Sequence, residues 1–185
     1  MRKLSVFNFI TLDGYYKGLA EDINWHDHDA ESAEFSVQNM KSRNALLFGR
    51  VTYELMASFW PTPAAAQTFP EVAIGMNEAE KIVCSRTLRK VSWNNTRVLA
   101  GDLISEIRKL KQSSGLDITI LGSGSIVAQL AAYGLIDDYM FMLDPIALGT
   151  GSPLFQGLPA PLHLHLTKVK AMRSGKVVLR YNAKA

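Results

Sequence analysis

Three short stretches of the chain place glycine, serine or arginine directly after an apolar run. They read "FGRVT" around Gly49, "CSRT" around Ser85 and "LGSGSI" around Gly122. Arginine carries a planar, permanent charge that suits phosphate oxygens, and a strand-to-helix turn presents unpaired backbone N–H groups at a helix N-terminus. Ligands of open α/β sheets bind beyond the carboxyl ends of the strands. The three stretches together therefore predict a clamp for a ligand with several phosphates.

The late glycine turn fits neither common phosphate-binding template. Val127 stands where the dinucleotide fingerprint has its third glycine, and no lysine follows Gly124 as it does in the P-loop. Its physical features remain: an apolar strand, two glycines and a helix beginning near Ser125. Taken alone, the turn is equally compatible with a bound anion and with a tight connection that binds nothing.

The elements needed to position these turns follow from periodicity. Strand-like runs alternate with helical ones in the first two thirds of the chain, and three strand-like runs follow one another at the end, the last two joined at Ser174-Gly175. The predicted strands are 4–10, 45–48, 81–85, 96–99, 117–121, 138–148, 162–172 and 176–181, and the predicted helices are 30–41, 50–60, 72–80, one after Asp102 and 126–133. This order predicts an α/β fold whose mostly parallel sheet carries antiparallel strands at one side.

Length and composition indicate one ordinary globular domain, 1–185. The chain has 185 residues, of which 48% are hydrophobic and 20% charged. A single cysteine, Cys84, permits no internal disulfide and favours a reducing compartment. No run is long enough to span a membrane, and the N-terminal segment reads as a strand rather than a leader. We therefore expect a cytoplasmic protein without a membrane partner.

The charge balance argues against nucleic acid as a partner. The net charge is +3 and the isoelectric point is near 9.0, but the basic residues are scattered and are not interleaved with exposed aromatic residues. A mildly basic protein of this kind is better suited to a small anion.

Five motifs in order resemble the dihydrofolate reductase superfamily. They are "TLDG", "GRVTYE", "CSRTL", "GSGSI" and "PIALGTGSPLF", and they are most similar to the branch related to the reductase domain of bacterial riboflavin biosynthesis. Each motif is weak alone, but the set spans nearly the whole chain in the right order. The resemblance implies a three-layer α/β/α fold and NADPH as cofactor.

The resemblance also assigns roles to the residues of the three turns. It implies that the first turn binds cofactor phosphates, that the second holds the adenosine 2′-phosphate and that the third wraps the pyrophosphate. The implied residues are Gly49, Arg50 and Thr52; Ser85, Arg86 and Thr87; and Gly122, Ser123, Gly124, Ser125 and Ile126. An arginine beside the 2′-phosphate favours NADPH over NADH. A side chain at Gly124 is expected to block the phosphate while leaving the fold intact.

Departures from the family pattern bear on the reaction. Dihydrofolate reductases place a substrate-binding carboxylate on the first helix, and neither Glu31 nor Glu34 falls clearly on that position. Dihydrofolate is therefore not the expected substrate. Asp13 matches an aspartate of the riboflavin-type branch beside the nicotinamide, so a catalytic role and a turn-capping role are both open. The loop 149–155 is expected in the interior or at a dimer contact, with the substrate site as a lesser alternative.

The histidine pairs do not predict a metal site. His26 and His28 lie in a polar loop, His163 and His165 lie on a strand-like run, and no cysteine joins either pair. Solvent-exposed histidines are the expected outcome, and no metal is predicted.

The remaining reactive and aromatic residues also have ordinary interpretations. Cys84 is expected to be a buried, inert thiol. The order G-S-G-S around Ser123 is not a nucleophile elbow, which excludes a serine hydrolase of that type. Trp25, Trp60 and Phe69 fall in or beside loops, where they line a pocket for a flat heterocycle or, as expected for Trp60, pack in the core.

The function that these observations favour is an NADPH-dependent reductase. Hydride passes from the cofactor to a small pterin- or pyrimidine-like heterocycle, and the protein supplies orientation. The alternatives are a nucleotide-binding module that keeps the NADPH site without turnover and a structural dimer subunit with no nucleotide affinity. A homodimer is expected because the run "YMFML" is apolar on both faces of its strand.

Overall fold

The chain builds one large sheet and one small one. The computed structural model describes residues 1–183. Its eight-stranded sheet has the order β5-β4-β3-β6-β1-β7-β10-β9, and a two-stranded sheet pairs β2 with β8. The strands are β1 (Leu4–Thr11), β2 (Tyr15–Lys17), β3 (Ala45–Gly49), β4 (Lys81–Cys84), β5 (Thr96–Leu99), β6 (Ile118–Leu121), β7 (Asp138–Asp144), β8 (Ser152–Pro153), β9 (Leu164–Ala171) and β10 (Val177–Ala183). The helices are α1 (Ala30–Met40), α2 (Arg50–Phe59), α3 (Pro63–Thr68), α4 (Pro70–Glu78), α5 (Leu103–Gln112) and α6 (Gly124–Ala132).

The strand directions confirm a mostly parallel sheet with antiparallel strands at one side. β1 lies between β6 and β7 and is parallel to both. β3 is parallel to β4 and β6, and β5 continues the parallel part beyond β4. β10 is antiparallel to β7, and β9 to β10. The last two strands join in the predicted hairpin, whose turn is closed by Gly175 N–H donating to the carbonyl of Met172.

Helices cover both faces of the sheet, as the three-layer fold requires. Helices α5 and α6 pack on one face, where their apolar side chains meet those of β1, β3 and β6. Helices α1, α2 and α4 pack on the other face, against alternate residues of the same strands and of β4. Two-sided burial explains why these strands read as continuous apolar runs.

Some predicted elements differ from the structure. The segment 64–69, which the sequence assigned to no helix or strand because Pro61, Pro63 and Pro70 bracket it, is mostly helix α3. Pro63 stands at the start of this helix, and the Thr62 hydroxyl accepts a hydrogen bond from Ala65 N–H at 3.3 Å. β7 ends at Asp144 because Pro145 follows and cannot donate to the ladder. Within residues 1–183 no helix is long and apolar enough to cross a membrane.

One ion pair fastens α1 to the C-terminal hairpin. Asp29 caps α1 by accepting a hydrogen bond from Ser32 N–H at 2.8 Å, and its other carboxylate oxygen accepts one from the buried ammonium of Lys176. The Lys176 ammonium, and to a lesser extent the Ser32 N–H, hold the pKa of Asp29 well below its ordinary value of 3.8. Asp102 caps α5 in the same way through Ser105 N–H but forms no ion pair with the described part of the chain.

This difference makes Asp29→Asn and Asp102→Asn a matched comparison. Asparagine caps helices about as well as aspartate, so Asp102→Asn is expected to leave stability nearly unchanged. Asp29→Asn leaves the buried Lys176 charge without its carboxylate, and we expect a loss of about 2–4 kcal/mol in urea unfolding. Because the folded-state pKa of Asp29 is depressed, its contribution is present above about pH 4 and disappears as the pH falls further. Equal stability of the two variants would contradict this role.

Candidate functional site

The three predicted phosphate turns lie side by side at one edge of the sheet. β4, β3, β6 and β1 are consecutive parallel neighbours, so their carboxyl ends, Cys84, Gly49, Leu121 and Thr11, share that edge. Helix α2 begins directly after β3, and two residues separate the end of β6 from the start of α6. Two helix N-termini therefore face the same region, where their partial positive charge favours an anion.

A buried serine joins the first and third turns. Gly49 N–H donates to Ser123 Oγ at 2.9 Å, and that hydroxyl donates to the carbonyl of Leu121 at 3.3 Å. Ser123 is 5% exposed and adopts a left-handed backbone conformation, with φ of 58°. Its side chain is thus committed to holding the two turns together, and only its backbone is free to meet a ligand.

Threonine and isoleucine side chains pack the same two turns against each other. A Cβ placed on Gly122, whose φ is 60°, would lie 3.1 Å from Cγ2 of Thr52. A Cβ on Gly49 would lie 3.4 Å from Cδ1 of Ile126. Thr52 and Ile126 are both buried. These two buried side chains therefore support the turns of the predicted phosphate site.

Backbone donors remain available at the glycine turn. The N–H groups of Gly122, Ser123, Gly124 and Ser125 donate to no acceptor among residues 1–183, whereas Ile126 N–H donates to the carbonyl of Ser123 at 2.9 Å. Ser125, in the first turn of α6, is exposed. This concentration of N–H groups is what a pyrophosphate requires.

The glycine turn also contacts a residue that the sequence motifs do not point to. A Cβ on Gly124 would lie 2.5 Å from Cε1 of Tyr16 and 2.6 Å from its Cζ. A side chain at Gly124 would therefore displace the Tyr16 ring. That the fold survives such a change stays a prediction. No local sequence pattern links β2 to α6, so the sequence does not predict the contact of Tyr16 with the glycine turn.

The second turn separates a structural serine from an exposed arginine. Ser85 Oγ accepts hydrogen bonds from Thr87 N–H at 3.2 Å and Leu88 N–H at 3.0 Å, which fixes the turn. Arg86 and Thr87 are exposed. Among residues 1–183, no carboxylate lies within 4.0 Å of the Arg86 guanidinium; Asp102 is near enough for a lesser electrostatic effect.

Arg50, in the first turn of α2, is exposed and pairs with Glu54 at 2.7 Å. Exposed pairs of this type contribute little to stability and exchange partners readily. The pair therefore leaves the arginine available to an anion.

The Asp13 carboxylate accepts three hydrogen bonds. Oδ1 accepts from the Thr11 hydroxyl at 2.6 Å and from Leu148 N–H at 3.2 Å, and Oδ2 accepts from Gly149 N–H at 2.7 Å. The Thr11 hydroxyl and then the Gly149 N–H lower the pKa of Asp13. The carboxylate thus ties the end of β1 to the loop that begins at Leu148, which is the turn-fixing role. Its catalytic role stays a prediction.

The loop 149–155 runs into the interior. Leu154 is buried in the core cluster under α5 and α6, and Phe155 packs against it. Gly151 lies so close to the carbonyl of Lys17 that a Cβ there would collide with it. The interior alternative is therefore correct for the end of this loop.

Comparison with known proteins identifies the family. The model of the RibD C-terminal domain matches residues 2–178. The chain belongs to the RibD C-terminal domain family. A curated relative, the uncharacterized protein YyaP of Bacillus subtilis (strain 168), is 26% identical over 175 residues, which cover 94% of this chain and 90% of that protein.

Solved structures share the RibD C-terminal fold across the whole chain. A putative riboflavin biosynthesis protein from Shewanella sp. PV-4 is 22% identical with a TM-score of 0.77, covering 99% of each chain. A pyrimidine reductase-like protein from Corynebacterium diphtheriae is 13% identical with a TM-score of 0.67, covering 100% of this chain and 92% of that one. The Thermotoga maritima diaminohydroxyphosphoribosylaminopyrimidine deaminase/5-amino-6-(5-phosphoribosylamino)uracil reductase is 15% identical with a TM-score of 0.67; the match covers 99% of this chain but 57% of that one. The resemblance inferred from five motifs is confirmed, and the chain has the fold of a reductase-like family.

One histidine departs from the sequence-based expectation within this RibD C-terminal fold. His26, expected in solvent, is 4% exposed; its Nδ1 lies 2.9 Å from a carboxylate oxygen of Asp144, and its ring stacks on Phe9 at 3.7 Å between centroids. Its Nε2 is buried without a partner among residues 1–183. Asp144 is 118 positions away in sequence, so no local pattern could reveal the pair. His163 and His165 are exposed, as expected.

The other residues weighed from sequence have structural surroundings. Glu31 accepts a hydrogen bond from Arg173 N–H at 2.7 Å, and Glu34 is exposed. Burial raises the pKa of the Cys84 thiol to about 12, which makes it inert as expected. Trp60 and Phe69 pack partly against the core on the α1 face, and Phe69 also contacts the ring of His28 at 5.2 Å.

The serine that joins the two turns can be tested by a pair of substitutions. Ser123→Ala removes the acceptor of Gly49 N–H while keeping a left-handed residue, and we expect a loss of about 1–3 kcal/mol in urea unfolding. Ser123→Gly removes the same bond but relieves the left-handed strain, so its loss should be smaller by about 1 kcal/mol. Ser125→Ala, at an exposed position beside it, is the control. If Ser123→Ala is as stable as the control, the bond does not hold the turns together.

Proposed function

We propose that this protein is an NADPH-dependent reductase that transfers hydride to a small pterin- or pyrimidine-like heterocycle. The observation that supports the proposal is the set of hydrogen-bond donors at the edge of the sheet where α2 and α6 begin. On that edge lie the N–H groups of Gly122 and Ser123 and the exposed guanidinium of Arg86, for which residues 1–183 supply neither an acceptor nor a paired carboxylate. A diphosphate with a further phosphate matches this distribution of donors.

The residues present fit such a cofactor, and each turn has a distinct part. The backbone of Gly122 to Ser125 would hold the pyrophosphate, and Arg86 with Thr87 would hold the adenosine 2′-phosphate. Gly49, Thr52 and Ser85 act mainly by fixing the turns, through the contacts at Ser123, Gly122 and Leu88. When bound, the cofactor supplies hydride; the chain binds it, orients it and excludes water.

The substrate class is proposed from the family and from the α1 face. Two of the solved relatives carry names that mention pyrimidine reduction or riboflavin biosynthesis. On this face Phe9, His28 and Phe69 form a chain of aromatic contacts suited to a flat ring. Neither glutamate of α1 offers the buried, uncommitted carboxylate that the resemblance to dihydrofolate reductases would require, so dihydrofolate is not the proposed substrate.

The alternative is a nucleotide-binding module that keeps the NADPH site without turnover. It predicts cofactor binding but no loss of reduced-nicotinamide absorbance with any acceptor. The deciding experiment is a screen of oxidised pterins and aminopyrimidines with NADPH. Oxidation of NADPH that depends on both acceptor and protein supports the reductase, whereas binding without oxidation across the screen supports the module.

The choice of NADPH over NADH is tested at Arg86. Arg86→Ala should weaken NADPH binding about ten- to a hundredfold, because a charge-assisted contact is lost, and should leave NADH binding nearly unchanged. Arg89→Ala, an exposed arginine three residues on, is the control for net charge. Isothermal titration with both cofactors measures the effect. Equal losses for both cofactors would mean that Arg86 supports the turn and does not contact the 2′-phosphate.

A homodimer is also proposed, together with a cytoplasmic location. β9 is an edge strand, bonded only to β10, and its Leu166 and Val169 are 46% and 53% exposed. A two-fold partner would cover these two apolar side chains and the unpaired edge of β9. Light scattering at micromolar concentration should give the mass of two chains, and Val169→Asp should lower it towards one. A monomeric mass for the unaltered protein would contradict the dimer.

A further inference from the structure

Tyr16, in β2 of the small sheet, packs against the glycine turn. Its ring lies within contact distance of Gly124, the first residue of α6, where only a glycine leaves room for it. β2 pairs with β8 on one side of Tyr16. Lys17 Nζ lies 5.4 Å from the centre of the Tyr16 ring and is fixed by Glu21 at 2.9 Å. The ring position is therefore set by several independent contacts.

The Tyr16 hydroxyl has no function in the fold. Among residues 1–183 it donates to no acceptor and accepts from no donor, although the rest of the side chain packs against the core. The hydroxyl lies close to the start of α6, because a Cβ on Gly124 would lie 2.9 Å from its oxygen. It thus lies at Gly124, in the same turn as the N–H groups of Gly122 and Ser123, which donate to no acceptor among residues 1–183.

A phenolic hydroxyl at this point adds a side-chain donor to a set of backbone donors. Tyrosine donates one hydrogen bond, and such bonds are about twice as strong when the acceptor is charged. No carboxylate forms an ion pair or a hydrogen bond with Tyr16 within the described part of the chain, so nothing there competes for the proton. The chemistry matches a phosphate oxygen.

We propose that Tyr16 is a ligand of the cofactor pyrophosphate. Its ring forms one wall of the glycine turn, and its hydroxyl donates to a phosphate oxygen that the turn holds. The proposal rests on the proposed dinucleotide site and adds a residue to it from a different element. It also gives a function to the close contact between the Tyr16 ring and Gly124, since this contact places the hydroxyl at the N-terminus of α6.

The test is Tyr16→Phe, which keeps the ring and removes only the hydroxyl. Isothermal titration with NADPH and with NADH should show both affinities reduced about tenfold or more, because both cofactors contain the pyrophosphate. Tyr15→Phe is the matched control: Tyr15 is the preceding residue of β2, and its hydroxyl lies 3.5 Å from the carbonyl of Gly149. The control should bind both cofactors as the unaltered protein does.

The outcomes separate this inference from the proposed function. Unchanged binding by Tyr16→Phe, with normal binding by the unaltered protein, overturns the inference alone. Tighter binding also overturns it, because Tyr16 would then obstruct the turn. A loss confined to NADPH would assign the hydroxyl to the 2′-phosphate and overturn the pyrophosphate assignment. Absence of binding of either cofactor by the unaltered protein overturns the proposed site and Tyr16's role together. Unliganded melting temperatures of both variants confirm that the fold is intact.

Discussion

The hydrogen bond from Gly49 N–H to Ser123 Oγ is the contact on which the geometry of the site depends. It joins the carboxyl ends of the parallel neighbours β3 and β6, where α2 and α6 begin. Together with the β3–β6 pairing and the packing of Thr52 on Gly122, this bond sets the spacing of the two helix N-termini and so the shape of any anion site between them. A left-handed, non-glycine residue is retained at Ser123 because its side chain is needed there.

The sequence predicted the fold well because two-sided burial leaves a strong pattern. Continuous apolar runs marked β1, β3, β4 and β6, and the order of strands and helices set the direction of the sheet. Elements whose start depends on local side-chain contacts were predicted less well, as at α3, which begins at Pro63 with Thr62 as its cap. The exposed positions of α2 show another limit: Val51, Leu55 and Phe59 have helical spacing, yet all three are exposed, and the helix buries Thr52 and Tyr53 instead.

The candidate site was predictable in its backbone and less so in its side chains. Motif order placed the three turns together, since parallel strands bring their ends to one edge. It did not distinguish residues that face a ligand from those that brace the turn, because Ser85 and Ser123 use their hydroxyls within the chain. Contacts between distant elements, such as His26 with Asp144 and Tyr16 with Gly124, leave no local pattern at all.

The central position of β1 has a consequence for the time course of folding. The hydroxyls of Ser5 and Thr119, 3.0 Å apart, belong to residues 114 positions apart in the chain, and Leu4 N–H bonds to the carboxylate of Asp137, 133 positions on. During synthesis β1 therefore emerges long before either of its neighbours and remains an unpaired apolar strand while most of the chain is made. Such late pairing slows folding and prolongs exposure to aggregation. β1 is therefore most exposed to aggregation in the interval before β6 and β7 are made.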